Sequence, residues 1–186
     1  MSAIFEKAKA TAFDEDSVLI ERFLAGQHEA FEALYEKYYD KVFGLARGVL
    51  MDSEEASDAV QEVFTLVYRH LNRFDRRSKF STWLFRITVN RSIQEARKAR
   101  FRHKQIELTE EAVGFAPVET DESDPRISAV MQMLSPQDRA LLVLFYWEEL
   151  GLNDIAHSLG CSVNAAKTRL YRARERFRVL FEEDAE

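Results

Sequence analysis

The sequence predicts an all-α fold: two small helical domains joined by a flexible acidic linker, the second containing a helix-turn-helix. Three observations predict it. Apolar residues recur at three- and four-residue steps along most of the chain, which is the period of an amphipathic helix. The 186 residues include only six Gly and three Pro, too few for a turn-rich β fold. Finally, Glu107 to Asp124 lacks sustained periodicity, contains Gly114 and Pro117, and carries seven acids with no Lys or Arg.

The first domain is expected over residues 14–104. Val18, Leu19, Phe23 and Leu24 form a short stripe that stops at Gly26. A longer helix follows, with Phe31, Leu34, Tyr35, Tyr38, Val42, Leu45 and Val49 along one side. Ser53, with Glu54 and Glu55 behind it, reads as the N-cap and acidic first turn of a third helix that buries Ala56, Val60, Val63, Val67 and Leu71. A polar break at Asn72–Arg77 precedes a fourth helix, with Phe80, Trp83, Leu84 and Ile87 on one face. The linker is assigned to 105–125 and the second domain to 126–182. In that domain Ser135-Pro136 sets a cap before a first-turn proline, opening a helix to about Trp147. Two more helices are expected near Asn153–Leu159 and Val163–Phe181.

Composition narrows the function classes. With 46% apolar and 31% charged residues the chain can bury a core and solvate its surface. The single cysteine, Cys161, excludes an intramolecular disulfide and a multi-cysteine zinc site. The longest apolar run, Ala140–Trp147, is far below the roughly 20 residues that span a bilayer, and the start has no secretory pattern. A soluble, cytoplasmic protein without membrane insertion is expected. The net charge of −6 conceals a segregation. Arg69–Lys104 holds twelve Lys/Arg against two acids, and Lys167–Arg178 six against one. A partner with repeated negative charge would be held at these two places.

The C-terminal island coincides with a helix-turn-helix pattern. Ala156 lets two helices cross closely, Gly160 takes the positive φ of the turn, and Ser162 caps the next helix. The inward stripe of that helix is Val163, Ala166, Leu170, Ala173 and Phe177. Its outer face presents Asn164, Lys167, Thr168, Tyr171 and Arg172, flanked by Arg169, Arg174, Arg176 and Arg178. A helix of this composition fits the major groove, reading base edges near its N-terminus and gripping phosphates further along.

In the first domain Phe74, Phe80, Trp83 and Phe85 are interleaved with Arg73, Arg76, Arg77, Lys79, Arg86 and Arg91. Aromatic faces among cations suit unpaired bases, which stack on rings while the backbone follows the charge. Asn90, three residues after Ile87, offers a donor and an acceptor for the Watson–Crick edge of a base out of its stack. The same spacing serves a plain core at Phe80, Trp83 and Ile87, so both readings stand at this point.

These segments resemble the extracytoplasmic-function (ECF) sigma factors of bacterial RNA polymerase. The resemblance rests on Asp58–Phe64 (DAVQEVF), Phe80–Asn90 (FSTWLFRITVN), Leu134-Ser135-Pro136, Ile155–Val163, and Lys167–Leu170 with Arg172-Ala173-Arg174, in the family's order from about Asp16 to Phe181. It implies that the first domain is sigma region two and the second region four. It also implies that Asp58, Gln61, Glu62 and Phe64 bind polymerase, and that His70, Phe74, Trp83, Arg86, Ile87 and Asn90 surround a flipped base of the minus-ten element. Asn164, Lys167, Thr168, Arg169, Tyr171 and Arg172 would read the minus-thirty-five element. The implied partners are core RNA polymerase, promoter DNA and an anti-sigma factor, in a bacterial stress response, with no cofactor or metal. Three departures stand out. Glu149-Leu150-Gly151 lacks the family's usual serine cap, Asn164-Ala165-Ala166 replaces its usual Gly-Thr-Val, and His70 stands where a small residue is common.

Two other classes compete. A stand-alone helix-turn-helix regulator with an N-terminal sensing domain would need a ligand pocket instead of aromatics beside arginines. An enzyme would need a working constellation. Glu54-Glu55 and Glu148-Glu149 point apart as helix neighbours, the four histidines are scattered, and no nucleophile–base spacing occurs.

Overall fold

The computed structural model describes residues 15–107 and 125–183. Within them the chain forms α1 (15–24), α2 (Glu29–Leu50), α3 (Ser53–His70), a 3₁₀ turn (Leu71–Arg73), α4 (Phe80–Glu107), α5 (Pro125–Met133), α6 (Pro136–Tyr146), α7 (Leu152–Leu159) and α8 (Val163–Glu183), with no strand among the described residues. Most of the assigned linker, residues 108–124, lies outside the described residues.

The helix boundaries follow local chemistry. Met51 enters the left-handed region at φ 62 and closes α2, its N–H reaching the Arg47 carbonyl at 2.7 Å. That turn leaves Asp52 extended, and its carboxylate accepts the Glu55 N–H at 2.7 Å. Asp52, not Ser53, therefore caps α3; Ser53 is already the first helical residue. Ser135 caps α6 as its sequence indicates, accepting the Asp138 N–H at 3.1 Å and donating to the Asp138 carboxylate at 2.8 Å.

Two apolar cores result. The first, enclosed by α1–α4, contains Ile20, Leu34, Tyr38, Val42, Ala46, Val60, Val63, Val67, Leu71, Phe80 and Leu84. The second joins Leu45 and Val49 of α2 and Phe85 and Val89 of α4 to Met131, Leu134, Leu141, Val143, Leu144, Ile155, Ala166 and Leu170. Helices α2 and α4 thus bury two faces each, and the N- and C-terminal helical units meet along a shared seam. Gly48 makes the approach possible: a β-carbon there would lie 2.6 Å from Val143 Cγ2.

Polar contacts fix the register of the seam. Thr82 Oγ1 donates to Asp154 Oδ1 at 3.3 Å, and Ser158 Oγ donates to the Thr82 carbonyl at 3.4 Å. Thr82 and Ser158 are both buried, so either hydroxyl left unpaired would cost about 1–3 kcal/mol. Full burial of a large apolar side chain contributes roughly 1.5–3 kcal/mol. Leu45, Val49, Phe85 and Val89 together therefore outweigh the two hydrogen bonds: apolar contact holds the units together and the polar pair sets how they meet.

Replacing Gly48 with Leu should wedge the seam apart, read as a rise in the radius of gyration by small-angle scattering; an unchanged radius would refute this account of the contact. Glu148, in the turn after α6, lies near Lys41 of α2, and burial holds its carboxyl above the ordinary 4.5 against the pull of that lysine. A raised acid contributes stability below its unfolded pKa and loses it as pH climbs through the folded value. Glu148→Gln is expected to raise the melting temperature at neutral pH and to flatten its decline above about pH 4.5, as calorimetry would record.

Candidate nucleic-acid interface

The C-terminal surface is built by the α7–turn–α8 hairpin. Gly160 adopts φ 61 and ψ 39, and its N–H returns to the carbonyls at the end of α7. The Cys161 N–H bonds the Ala156 carbonyl at 2.9 Å, completing the reversal. Gly151 stands at the N-cap of α7 without a side-chain bond, consistent with the missing serine. Ser162 caps α8 by accepting the Ala165 N–H at 3.2 Å.

On α8, Ala166, Leu170 and Ala173 are buried. Val163, expected to face inward, is 41% exposed; the buried stripe begins one turn later, at Ala166, because the first residue of the helix projects beyond the contact with α7. Asn164, Lys167, Thr168, Arg169, Tyr171 and Arg172 are all exposed, Tyr171 to 65%. Thr168 turns its hydroxyl back to the Asn164 carbonyl at 2.9 Å. The cations divide into two sets. Arg176 pairs with Asp138 at 2.6 Å, Arg178 with Glu175 and Glu182 at 3.1 Å each, and Arg174 lies over the Tyr146 ring at 5.8 Å. Lys167, Arg169 and Arg172 form no ion pair among the described residues. The N-terminal half of α8 consequently holds the uncommitted positive charge, whereas the arginines expected to grip phosphates further along are engaged within the protein.

The second surface lies where the 3₁₀ turn leads into α4. Phe74 and Trp83 rings meet at 5.4 Å, and Phe80 contacts both, at 5.8 and 5.9 Å. Phe80 is buried while Phe74 and Trp83 are half-buried, so the sequence's four aromatics separate into roles. Phe85 lies buried in the seam core. Trp83, Ile87 and Asn90 fall at i, i+4 and i+7 and share one helix face, with Asn90 exposed at its end. Arg86 borders this face on the seam side; its guanidinium rests against Gly160, where an added β-carbon would come within 3.3 Å of Nη2. His70 ends α3, half-buried, just ahead of the 3₁₀ turn.

On α3, Asp58, Gln61 and Glu62 are exposed together. Glu62 pairs with Arg91 of α4, which also reaches Glu95 at 3.0 Å. Phe64 is only 5% exposed, its ring 4.5 Å from Tyr35 and 6.4 Å from Phe31. It supports a shallow groove of about 620 Å³, lined also by Gln61, Thr65, Tyr68 and Arg69, instead of projecting from the helix. Thr82, Asp154 and Ser158 were not singled out by sequence: their partners lie 72 and 76 residues away, beyond any local pattern. Among the described residues no group of three or more His, Cys, Asp or Glu could hold a metal, and no helix is long and apolar enough to cross a membrane.

These two surfaces, one on a basic helix-turn-helix and one on an aromatic-rich helix, lie within two segments that match known families. Residues 34–102 match the Sigma-70 region 2 family, and residues 125–177 match Sigma-70, region 4. The chain is 32% identical over 176 residues to RNA polymerase sigma-H factor of Pseudomonas aeruginosa, covering 87% of this chain and 91% of that protein. It is 31% identical over 173 residues to the ECF RNA polymerase sigma factor SigW of Bacillus subtilis, covering 86% and 92%. CnrH, solved in complex with the cytosolic domain of CnrY, superposes with a TM-score of 0.69 at 25% identity, over 91% of this chain and 99% of CnrH. RpoE of Bartonella quintana, solved with the anti-sigma factor NepR, shares the fold with a TM-score of 0.66 at 23% identity, over 82% and 96%. The chain belongs to the ECF sigma factors of bacterial RNA polymerase. It is a transcription initiation factor that directs core polymerase to specific promoters and assists DNA melting; the stand-alone regulator is not favoured.

Proposed function

We propose a division of labour between residues 14–104 and 126–182. In the C-terminal unit, Asn164, Lys167, Thr168, Arg169, Tyr171 and Arg172 hold the minus-thirty-five duplex. In the N-terminal unit, His70, Phe74, Trp83, Arg86, Ile87 and Asn90 capture a base of the minus-ten element as it leaves the stack, so that stacking and hydrogen bonding offset the cost of unpairing. Asp58, Gln61 and Glu62 dock on the polymerase, with Phe64 supporting their helix from below. The chain contributes binding energy and no catalytic group, and it works in the cytoplasm, where polymerase acts. The observation that carries this reading is the half-exposed Phe74–Trp83 pair, rings 5.4 Å apart, at one end of the stripe that finishes at exposed Asn90.

The closed arrangement must open for this work. Elements twenty-five base pairs apart, as their names state, lie about 85 Å apart along B-DNA, at 3.4 Å per step. A compact chain of this length has a radius of gyration of about 16 Å. Once the seam parts, a connection as long as that between Glu107 and Pro125 reaches at most about 60 Å, enough to let the units separate. An anti-sigma partner that favours the closed form would silence the chain; the Bartonella quintana RpoE, solved in complex with the anti-sigma factor NepR, supports the existence of such a partner.

Run-off transcription with purified core polymerase on a promoter library tests the proposal. Phe74→Ala and Asn90→Ala should abolish promoter opening and spare polymerase binding; loss of both properties together would indicate misfolding, and normal promoter opening would remove the base-capture role. Arg172→Ala should weaken binding of cognate upstream duplex by about 1–3 kcal/mol, the value of a bidentate base contact, and unchanged affinity would exclude Arg172 from the reading set.

A further inference from the structure

Helix α1 has no part in the functions assigned above, yet it reaches the minus-ten surface by two routes. The outer route runs through the loop between the 3₁₀ turn and α4. There Arg76 adopts φ 59, a left-handed conformation that non-glycine residues rarely take. Around it, the Asp75 carboxylate accepts the Arg77 N–H at 3.1 Å, and the Arg76 guanidinium bonds Glu21 of α1 at 2.7 Å. Phe74 begins this loop and is its link to Trp83.

The inner route runs beneath the same rings. Asp16 of α1, 5% exposed, accepts the Tyr38 hydroxyl at 2.5 Å and the Lys37 ammonium at 2.8 Å. The Tyr38 ring then meets Phe80 edge-on at 5.3 Å, and Phe80 touches Phe74 and Trp83. Ile20, fully buried between the two acidic residues, fixes α1 to the core, so neither Asp16 nor Glu21 sits on a loose arm.

We propose that α1 positions the base-capture pocket, Glu21 holding the Arg76 loop from outside and Asp16 holding Phe80 through Tyr38 from within, and that these residues thereby tune which base is accepted. Asp16, Glu21 and Tyr38 act through Phe80 and the Arg76 loop and are therefore positioning residues. The inference rests on the reading of Phe74 and Asn90 as a base pocket.

The exposed ion pair gives the cleaner test, because its substitution leaves the core intact. Glu21→Arg, Arg76→Glu and the double exchange are assembled with core polymerase. Permanganate reactivity then measures opening on promoters carrying each of the four bases at the captured position. Each single reversal should lower opening about two- to fivefold on the preferred promoter, the range an exposed ion pair supports, and flatten the preference among bases. The double exchange should restore both, with polymerase affinity unchanged throughout. Unaltered base preference in the single variants, or a double exchange that restores nothing, would overturn the positioning role. Phe74→Ala is run alongside: if it opens promoters normally the pocket reading itself fails, and if it is defective while the reversals are silent only the role of α1 fails.

Discussion

The structure depends on the double burial of α2 and α4. Both contribute to the first core, and on their other faces α2 packs on α6 while α4 packs on α7 and α6, so neither core is complete without these two helices. A helix with two buried faces has little surface left for function. On α4 the remaining arc is the stripe from Trp83 to Asn90, and the chemistry suited to an unpaired base is concentrated there. The constraint that builds the fold therefore also confines the proposed base-capture surface to one narrow strip bordered by the seam.

The same constraint explains the distribution of charge on α8. Its C-terminal arginines are needed within the protein, where Arg176 neutralises Asp138 in the first turn of α6 and Arg174 covers Tyr146. Only the first turns carry cations that are free to meet phosphate or base edges. A helix entering a groove by its N-terminal end needs its reach there and its anchoring behind.

The fold was legible in the sequence because helix periodicity and capping are local. The 3.6-residue stripes of α2 and α3, the Ser135 cap and the Gly160 turn all follow from residues within a few positions of one another. The shift from Ser53 to Asp52 as the α3 cap shows where local reading ends: the left-handed Met51 decides it, and no preference of methionine announces that conformation. The candidate surfaces were legible as residue types, but their exposure was not. Phe80 and Phe85 carry the same aromatic signal as Phe74 and Trp83, and only packing tells them apart. The seam left no local trace, since Gly48 reads as an ordinary helical glycine until Val143 is set beside it.

The separation of 76 positions from Thr82 to Ser158 also bears on synthesis. Contacts within α1–α4 are closer in sequence and form sooner than any contact across the seam. A chain leaving the ribosome folds its first unit while the second is still unmade. During that interval the seam faces of α2 and α4, with Leu45, Val49, Phe85 and Val89, have no partner, so a newborn molecule carries an apolar surface that only the later helices cover.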